Sequence, residues 1–242
     1  MDKKILITGG AQRIGKELVH HFHNVGWKVI FQYRSSSDSA NKLCDELNKK
    51  RDNSCEAIQC DFDDEVSFNE FCNEINNNAA DLCALINNAS TFYPKKITDV
   101  EIKDWNMLMS SNLKTPIFLI SALAERLTKN RGHIINIADI YAEIGMSGYS
   151  VYAAAKAGLY NLTKSLAKEL APNVLVNSIS PGSILWDVNV PSEEKKKKIL
   201  SSIPMNRLGC EKDIVMLADY LINKNTYMTG RNISVDGGKS LG

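Results

Sequence analysis

Short unbroken apolar runs alternate with segments of helical period along the whole of this sequence, and that alternation restricts the fold more than any other feature. Lys4-Ile5-Leu6-Ile7 is stopped by Thr8-Gly9-Gly10, as expected of a strand buried on both faces. Residues 13–25 then carry Ile14, Leu18, Phe22 and Val25 at helical spacing, Gly26 ends them, and Lys28–Tyr33 returns to strand character. The same reading predicts further helices at about 38–51, 64–78, 150–171 and 211–223, and helical stretches from about 99 to 129. Strands are expected at 55–60, 82–86, 132–137, 174–178 and 231–235. Strands joined by helices of this length pair in parallel, because only a crossover connection returns the chain to the same edge. The expected architecture is α/β: a doubly wound parallel sheet of about seven strands with helices on both faces, one domain over residues 1–242.

Composition narrows the class without choosing a function. Lys and Arg number 29 against 28 Asp and Glu, a net charge of +1, which argues against an electrostatic nucleic-acid binder. With 44% hydrophobic and 24% charged residues, disorder, collagen-like repeats and coiled coil are excluded. A domain of this length buries roughly 70–75% of its unfolded surface and needs no disulfide or metal to hold it. No run approaches the roughly 18 uninterrupted apolar residues of a membrane span. Met1-Asp2-Lys3-Lys4 leads into too few apolar residues for a signal peptide, so the expectation is a cytoplasmic protein with no membrane partner. The cysteines at 44, 55, 60, 72, 83 and 210 form no C-x-x-C pair and read as reduced thiols. His20, His21 and His23 lack a Cys or carboxylate at ligand spacing and read as helix-face residues, so no metal is expected. Glu193-Glu194 followed by Lys195–Lys198 reads as a solvated helix face, with a polyanion site as the alternative.

Between the first strand and the first helix stands Thr8-Gly9-Gly10-Ala11-Gln12-Arg13-Ile14-Gly15. Glycines there allow a sharp turn and close approach of backbone N–H groups to a pyrophosphate, and the helix adds its N-terminal dipole. The spacing differs from G-x-G-x-x-G, and a tight strand-to-helix turn needs glycine in any case. Its position in the alternation nevertheless favours dinucleotide binding and a Rossmann-type sheet. The second strand ends Gln32-Tyr33-Arg34-Ser35-Ser36-Ser37, with no carboxylate before Asp38. A guanidinium flanked by hydroxyls suits a ribose phosphate, with Arg13 as a second cation, so NADP is expected over NAD. The alternative is a solvated basic turn.

Tyr152-Ala-Ala-Ala-Lys156 opens the longest helix and puts phenol and ammonium one turn apart on one face. A phenol titrates near pH 10, and a neighbouring cation is expected to lower that value, which suits a group passing a proton while a hydride moves. The pair alone arises often by chance.

Together with Asn87-Asn88-Ala89, Asn112, Pro181-Gly182 and Asp236-Gly237-Gly238, these motifs stand in the order and spacing of short-chain dehydrogenases/reductases, which the sequence resembles over essentially its whole length. The resemblance implies that Gly9, Arg13, Ile14, Gly15, Tyr33, Arg34 and Ser35 hold the phosphate end of the cofactor, with Asp61 and Phe62 at the adenine. It places Asn88, Ala89 and Ser90 beside the cofactor, Pro181, Gly182 and Ser183 over the nicotinamide, and Lys156 on its ribose. Tyr152 becomes the catalytic acid and Asn112 the support of a relay water. A homotetramer is implied as well, with helices at about 101–129 and 150–171 packing across subunits.

The family usually has Ser thirteen residues before the Tyr, where this sequence has Asp139. An ionised carboxylate accepts only, and would repel the oxyanion of a carbonyl reduction. It suits a substrate that presents N–H donors. In this Asp, and in Asn87–Pro94 with its Ser90 and Phe92, the chain resembles the pteridine reductases and dihydromonapterin reductases. That resemblance implies a pterin or folate-like substrate stacked on Phe92, with Arg13, Ser90, Asp139, Tyr152 and Trp186 or Asp187 as substrate contacts and 183–203 as the substrate loop. The expected activity is NADPH-dependent reduction of a C=N bond of a dihydropterin or dihydrofolate. A 3-oxoacyl-thioester reductase with protonated Asp139, a non-catalytic NADP-binding sensor and an inactive site are the alternatives.

Overall fold

The computed structural model describes residues 3–186 and 192–241. Along the chain its elements are β1 (Lys4–Ile7), α1 (Arg13–Asn24), β2 (Lys28–Tyr33), α2 (Ser37–Lys50), β3 (Cys55–Gln59), α3 (Glu65–Asn78) and β4 (Leu82–Asn87). Then follow α4 (Ile102–Met109), α5 (Thr115–Lys129), β5 (His133–Ile137), α6 (Tyr141–Ile144), α7 (Ser150–Glu169), β6 (Leu175–Pro181), α8 (Glu193–Ser201), α9 (Glu211–Asn223) and β7 (Asn232–Val235). The strands form one seven-stranded sheet in the order β3-β2-β1-β4-β5-β6-β7, every pairing parallel. This is the doubly wound, Rossmann-type arrangement that the alternation predicts.

The unbroken apolar runs are strands covered on both faces. Ile5, Ile7, Val29 and Phe31 meet Leu18, Phe22, Leu43, Leu47, Ile214 and Leu221 of α1, α2 and α9 on one side. Leu6, Leu85, Ile134 and Val176 meet Phe71, Ile75, Leu119, Leu123 and Leu127 of α3 and α5 on the other. Burial of each such side chain contributes roughly 1.5–3 kcal/mol. Strand order reverses at β1, which pairs with β2 on one edge and β4 on the other, opening a crevice at the strands' carboxyl ends.

The helical stretches expected from about 99 to 129 are α4, a π-helical turn at Ser110–Lys114, and α5. That turn carries Asn112, fully buried, whose Nδ2 donates to the carbonyls of Leu108 and Thr91 at 2.9 Å each. A side-chain amide inserted into the ladder is a recognised cause of such an irregularity, and an apolar period does not reveal it. Among the described residues Ile102–Lys129 is also the one helical run long and apolar enough to cross a membrane, at a mean hydropathy of 1.2. Here it packs on the sheet through Leu119, Leu123 and Leu127.

Two further elements depart from expectation. β6 runs on to Pro181, and the short α6 follows Asp139. The 193–198 run lies in the exposed helix α8, where Lys196 Nζ meets Glu193 at 2.6 Å. All six cysteines are free thiols. His21 pairs with Asp219 of α9 at 2.9 Å, and buried His23 meets Ser54 at 2.7 Å.

Candidate active site

At the phosphate end the backbone does most of the shaping. Gly9 lies at φ +64°, a left-handed conformation that glycine alone adopts freely. A Cβ on Gly15 would fall 2.0 Å from the Gly9 carbonyl oxygen, so the helix approaches the turn too closely for any side chain. Gln32, missed in the sequence, holds the turn from β2: its Oε1 accepts from Gly9 N at 3.0 Å and its Nε2 donates to Cys60 O at 2.7 Å. Thr8 Oγ1 accepts from the amides of Asn88 and Ala89 at 3.0 Å each. Asn88 turns inward, donating to the carbonyls of Thr8 and Gly9 at 2.9 and 3.1 Å. It therefore braces the glycine turn from β4.

A cavity of about 280 Å³ opens against this turn. Gly9, Tyr33, Arg34, Ser35, Asp61, Phe62, Ala89 and Ser90 line it, together with Gln12, Ser36 and Thr91. Arg13, Ile14, Gly15 and Asn88 lie outside that lining; Arg13 is exposed at φ +51° at the start of α1. No side chain caps the first turn of α1, and that turn carries no acid. Its free N–H groups and dipole are those that an anion neutralises. A collision-free glycine cradle, an uncapped helix start and Arg34 with two serines fit a dinucleotide with its phosphates at α1.

At the chemical end side chains dominate. α7 begins at Ser150, so Tyr152 and Lys156 lie one turn apart, the ammonium 5.8 Å from the phenol's ring centre. Tyr152 Oη donates to Asp139 Oδ2 at 2.6 Å, and Asp139 Oδ1 accepts from the amide of Tyr141 at 2.9 Å. Both carboxylate oxygens are thus engaged. Fully buried Lys156 donates to Ile137 O at 2.8 Å.

These contacts reverse one expectation. Burial, reinforced by the charge of Asp139 and its hydrogen bond, pushes the Tyr152 phenol far above its ordinary value. The cation one turn away does not lower it, because it lies against Ile137 and is itself driven down to about 8 by desolvation. Burial also raises Asp139, opposed by bonds from Tyr152 and the Tyr141 amide and by the charges of Lys156 and Lys239. The phenol is a proton donor at neutral pH.

Around this pair the aromatic residues form a wall. Phe92 is 46% exposed, so it is no core residue. It stacks on Tyr149 with centres 4.6 Å apart and presents its ring to Tyr152 at 4.8 Å. Ser90 Oγ donates to Asn112 Oδ1 at 2.8 Å. The contacts of Asn112 run to the 90–91 loop and to its own helix. Pro181 ends β6 and Gly182 follows it, packed so closely that a Cβ would lie 2.5 Å from Asp236. Ser183 Oγ accepts from Lys239 Nζ at 2.8 Å. Lys239 is the second residue missed in the sequence, because it follows a glycine pair and belongs to no periodic pattern. Trp186 lies beneath Lys196, 5.9 Å from its ammonium; Asp187 lies outside the described residues.

Glycine cradle, switch-point crevice and Tyr–Lys helix together define a nicotinamide-dinucleotide oxidoreductase fold. The family model described as Enoyl-(Acyl carrier protein) reductase matches residues 9–240, and the chain belongs to this branch of the short-chain dehydrogenases/reductases. Among curated proteins it is similar to the dihydromonapterin reductase of Enterobacter sp. (strain 638), at 35% identity over 99% of this chain and 97% of the relative. The dihydromonapterin reductase of Escherichia coli (strain SMS-3-5 / SECEC) is 36% identical over 98% and 96% of the two chains. That of Shigella boydii serotype 4 (strain Sb227) is 35% identical over 98% and 96%.

Proposed function

We propose that this chain is an NADPH-dependent reductase of dihydropterins, acting on a C=N bond of the ring. The observation that carries the reading is the carboxylate of Asp139 bonded to the phenol of Tyr152 at 2.6 Å, beside an aromatic wall. Full-length relatives named dihydromonapterin reductase support it. A pterin presents an amino group and ring N–H donors to the acceptor-only carboxylate, which a carbonyl oxygen does not. Phe92 offers its exposed ring for stacking, a contact of about 1 kcal/mol beyond area burial.

NADPH, when bound, supplies the hydride that reaches the ring carbon. Tyr152 delivers the proton that the ring nitrogen takes up, so one C–H and one N–H bond replace the C=N π bond. The raised phenol value keeps that proton on oxygen until hydride addition to the carbon moves the π electron pair onto the nitrogen and makes it the stronger base. Asp139 holds the phenol in place and anchors the substrate. Lys156 would hold the nicotinamide ribose and Pro181–Ser183 the nicotinamide, while Asn112, which braces the 90–91 loop, would support a relay water. Arg34 and the serines beside it take the ribose phosphate, and Arg13 reaches phosphates and substrate together. The 183–203 stretch, which carries Trp186 and α8, selects the substrate's side chain. The working assembly is a homotetramer in the cytoplasm.

A substrate panel tests this directly: NADPH oxidation is followed with dihydromonapterin, dihydrobiopterin, dihydrofolate and acetoacetyl and enoyl thioesters. Turnover of the pterins is expected. Turnover of a thioester alone would overturn the reading, and tight NADPH binding with no turnover would mark a sensor.

A further inference from the structure

Phe92 stands midway along residues 88–96, which adopt neither helix nor strand. A phenyl ring has no polar atom to anchor it, so its direction depends on the residues on either side. On the N-terminal side the bonds come from the π-helical turn. Ser111 Oγ accepts from Thr91 N at 3.1 Å, and Asn112 bonds Ser90 Oγ and Thr91 O. On the C-terminal side they converge on one buried carboxylate, Asp104 in the first turn of α4. Its Oδ1 accepts from Tyr93 Oη at 3.2 Å, and its Oδ2 meets Lys95 Nζ at 3.1 Å. Oδ2 also accepts from the Glu101 amide at 3.0 Å, which caps the helix. Lys95 in turn joins the loop before α7, its amide donating to Gly148 O at 2.7 Å. The next residue of that loop is Tyr149, the ring on which Phe92 stacks. Tyr93 and Tyr149 pack together against Leu108, Val151 and Tyr152.

We propose that Asp104 is a positioning residue for substrate recognition: by gripping Tyr93 and Lys95 it fixes the 92–95 segment, and with it the Phe92 ring on which the substrate stacks. The proposal rests on the reading of Phe92 as the stacking surface. Capping of α4 accounts for the Glu101 bond alone. The bonds to Tyr93 and Lys95 lie outside the helix and serve the segment that carries Phe92. A buried carboxylate is costly unless donors surround it, and here three do. The Glu101 amide first, then Lys95 and Tyr93, hold the Asp104 carboxyl below the usual carboxylate range against the effect of burial. It therefore stays an acceptor throughout the neutral range. Without these ties the segment would be ordered only when substrate arrives, and that ordering would be drawn from the binding free energy.

The experiment measures KM and kcat for dihydromonapterin, NADPH affinity and Tm in the wild-type protein and in the double variant Tyr93→Phe/Lys95→Met. That variant removes both ties and leaves Asp104 and the helix cap in place, so it decides the question even if Asp104→Asn fails to fold. The pterin KM is expected to rise roughly threefold to fivefold, a ceiling set by the stacking contact itself, with kcat and NADPH affinity unchanged. Glu101→Ala is the control. It removes the side chain that accepts from the Asp104 amide and keeps both ties, so it should lower Tm and leave KM unmoved. An equal rise in KM in Glu101→Ala would overturn the proposal and leave Asp104 a helix cap. In a Phe92→Ala background the double variant should add almost nothing to KM, because coupled residues are not additive. A full additional rise there would also overturn it. Para-fluorophenylalanine placed at position 92 reads the ring without substrate. Its fluorine NMR line is expected to shift or broaden in the double variant, and an unmoved line would sink the proposal. A line that changes while KM stays constant would uphold the positioning by Asp104 and sink the stacking reading of Phe92 instead.

Discussion

The two ends of this crevice solve opposite problems. At the phosphate end the glycine turn clears the space: Gly9 and Gly15 leave room, Gln32, Thr8 and Asn88 brace from behind, no side chain caps the start of α1, and Arg34 with two serines lines the cavity. The chemical end packs a carboxylate, a phenol and an ammonium into surroundings that exclude water, and each is moved from its ordinary titration as a result. One end relies on backbone shape, a helix dipole and the Arg34 guanidinium at its rim, and tolerates variants that keep the backbone and that charge. The other depends on the charge state of a few buried groups, so single atoms matter there.

The sharpest way to break that contrast is Tyr152→Phe, which removes one oxygen from the chemical end and nothing from the phosphate end. A loss of roughly 10²–10⁴ in kcat is expected, with NADPH affinity unchanged by fluorescence titration. Equal losses in both would mean that the two ends are not separable. Next in size is Arg34→Asp. A charge-assisted bond to phosphate is worth about 1.5–3 kcal/mol, so the ratio of kcat/KM for NADPH over NADH is expected to fall roughly tenfold to a hundredfold. Survival of the NADPH preference would move phosphate recognition to Arg13.

A smaller effect comes from pH. Lys156 is an ammonium below about 8 and an amine above it. As pH rises through that value the cation is lost, so KM for the cofactor is expected to rise, up to about tenfold one unit higher. Steady-state kinetics across this range would show it. In Lys156→Arg, where the charge does not titrate, the rise should vanish.

The same contrast explains what could be read in the sequence. Strands covered on both faces, a glycine-rich turn and a four-residue Tyr–Lys spacing are local patterns, so the sheet, the tight turn into α1 and the helix carrying Tyr152 and Lys156 were all legible from them. The π-helical turn at Ser110–Lys114 was not, since a buried asparagine amide rather than apolar period causes it. Nor was the raised phenol of Tyr152. Spacing along α7 shows that Lys156 is near, but not that its ammonium binds Ile137 or that Asp139 comes within 2.6 Å of the oxygen. Lys239 reaches Ser183 only because β7 pairs with β6, a contact 56 residues apart in sequence. Long-range juxtaposition sets charge states, and local pattern carries no record of it.

Phe92→Ala should produce the smallest effect and probes the boundary between the two ends. The ring is half-exposed and already stacked on Tyr149, so its removal opens no cavity in the core and should leave stability nearly unchanged. What is lost is the stacking surface, about 1 kcal/mol, which corresponds to a roughly fivefold rise in KM for the pterin at nearly constant kcat. Phe92 also meets the edge of Tyr152 at 4.8 Å. A fall in kcat instead of a rise in KM would therefore mean that the ring orients the phenol rather than the substrate. That outcome would draw the aromatic wall into proton delivery and leave substrate recognition to Asp139.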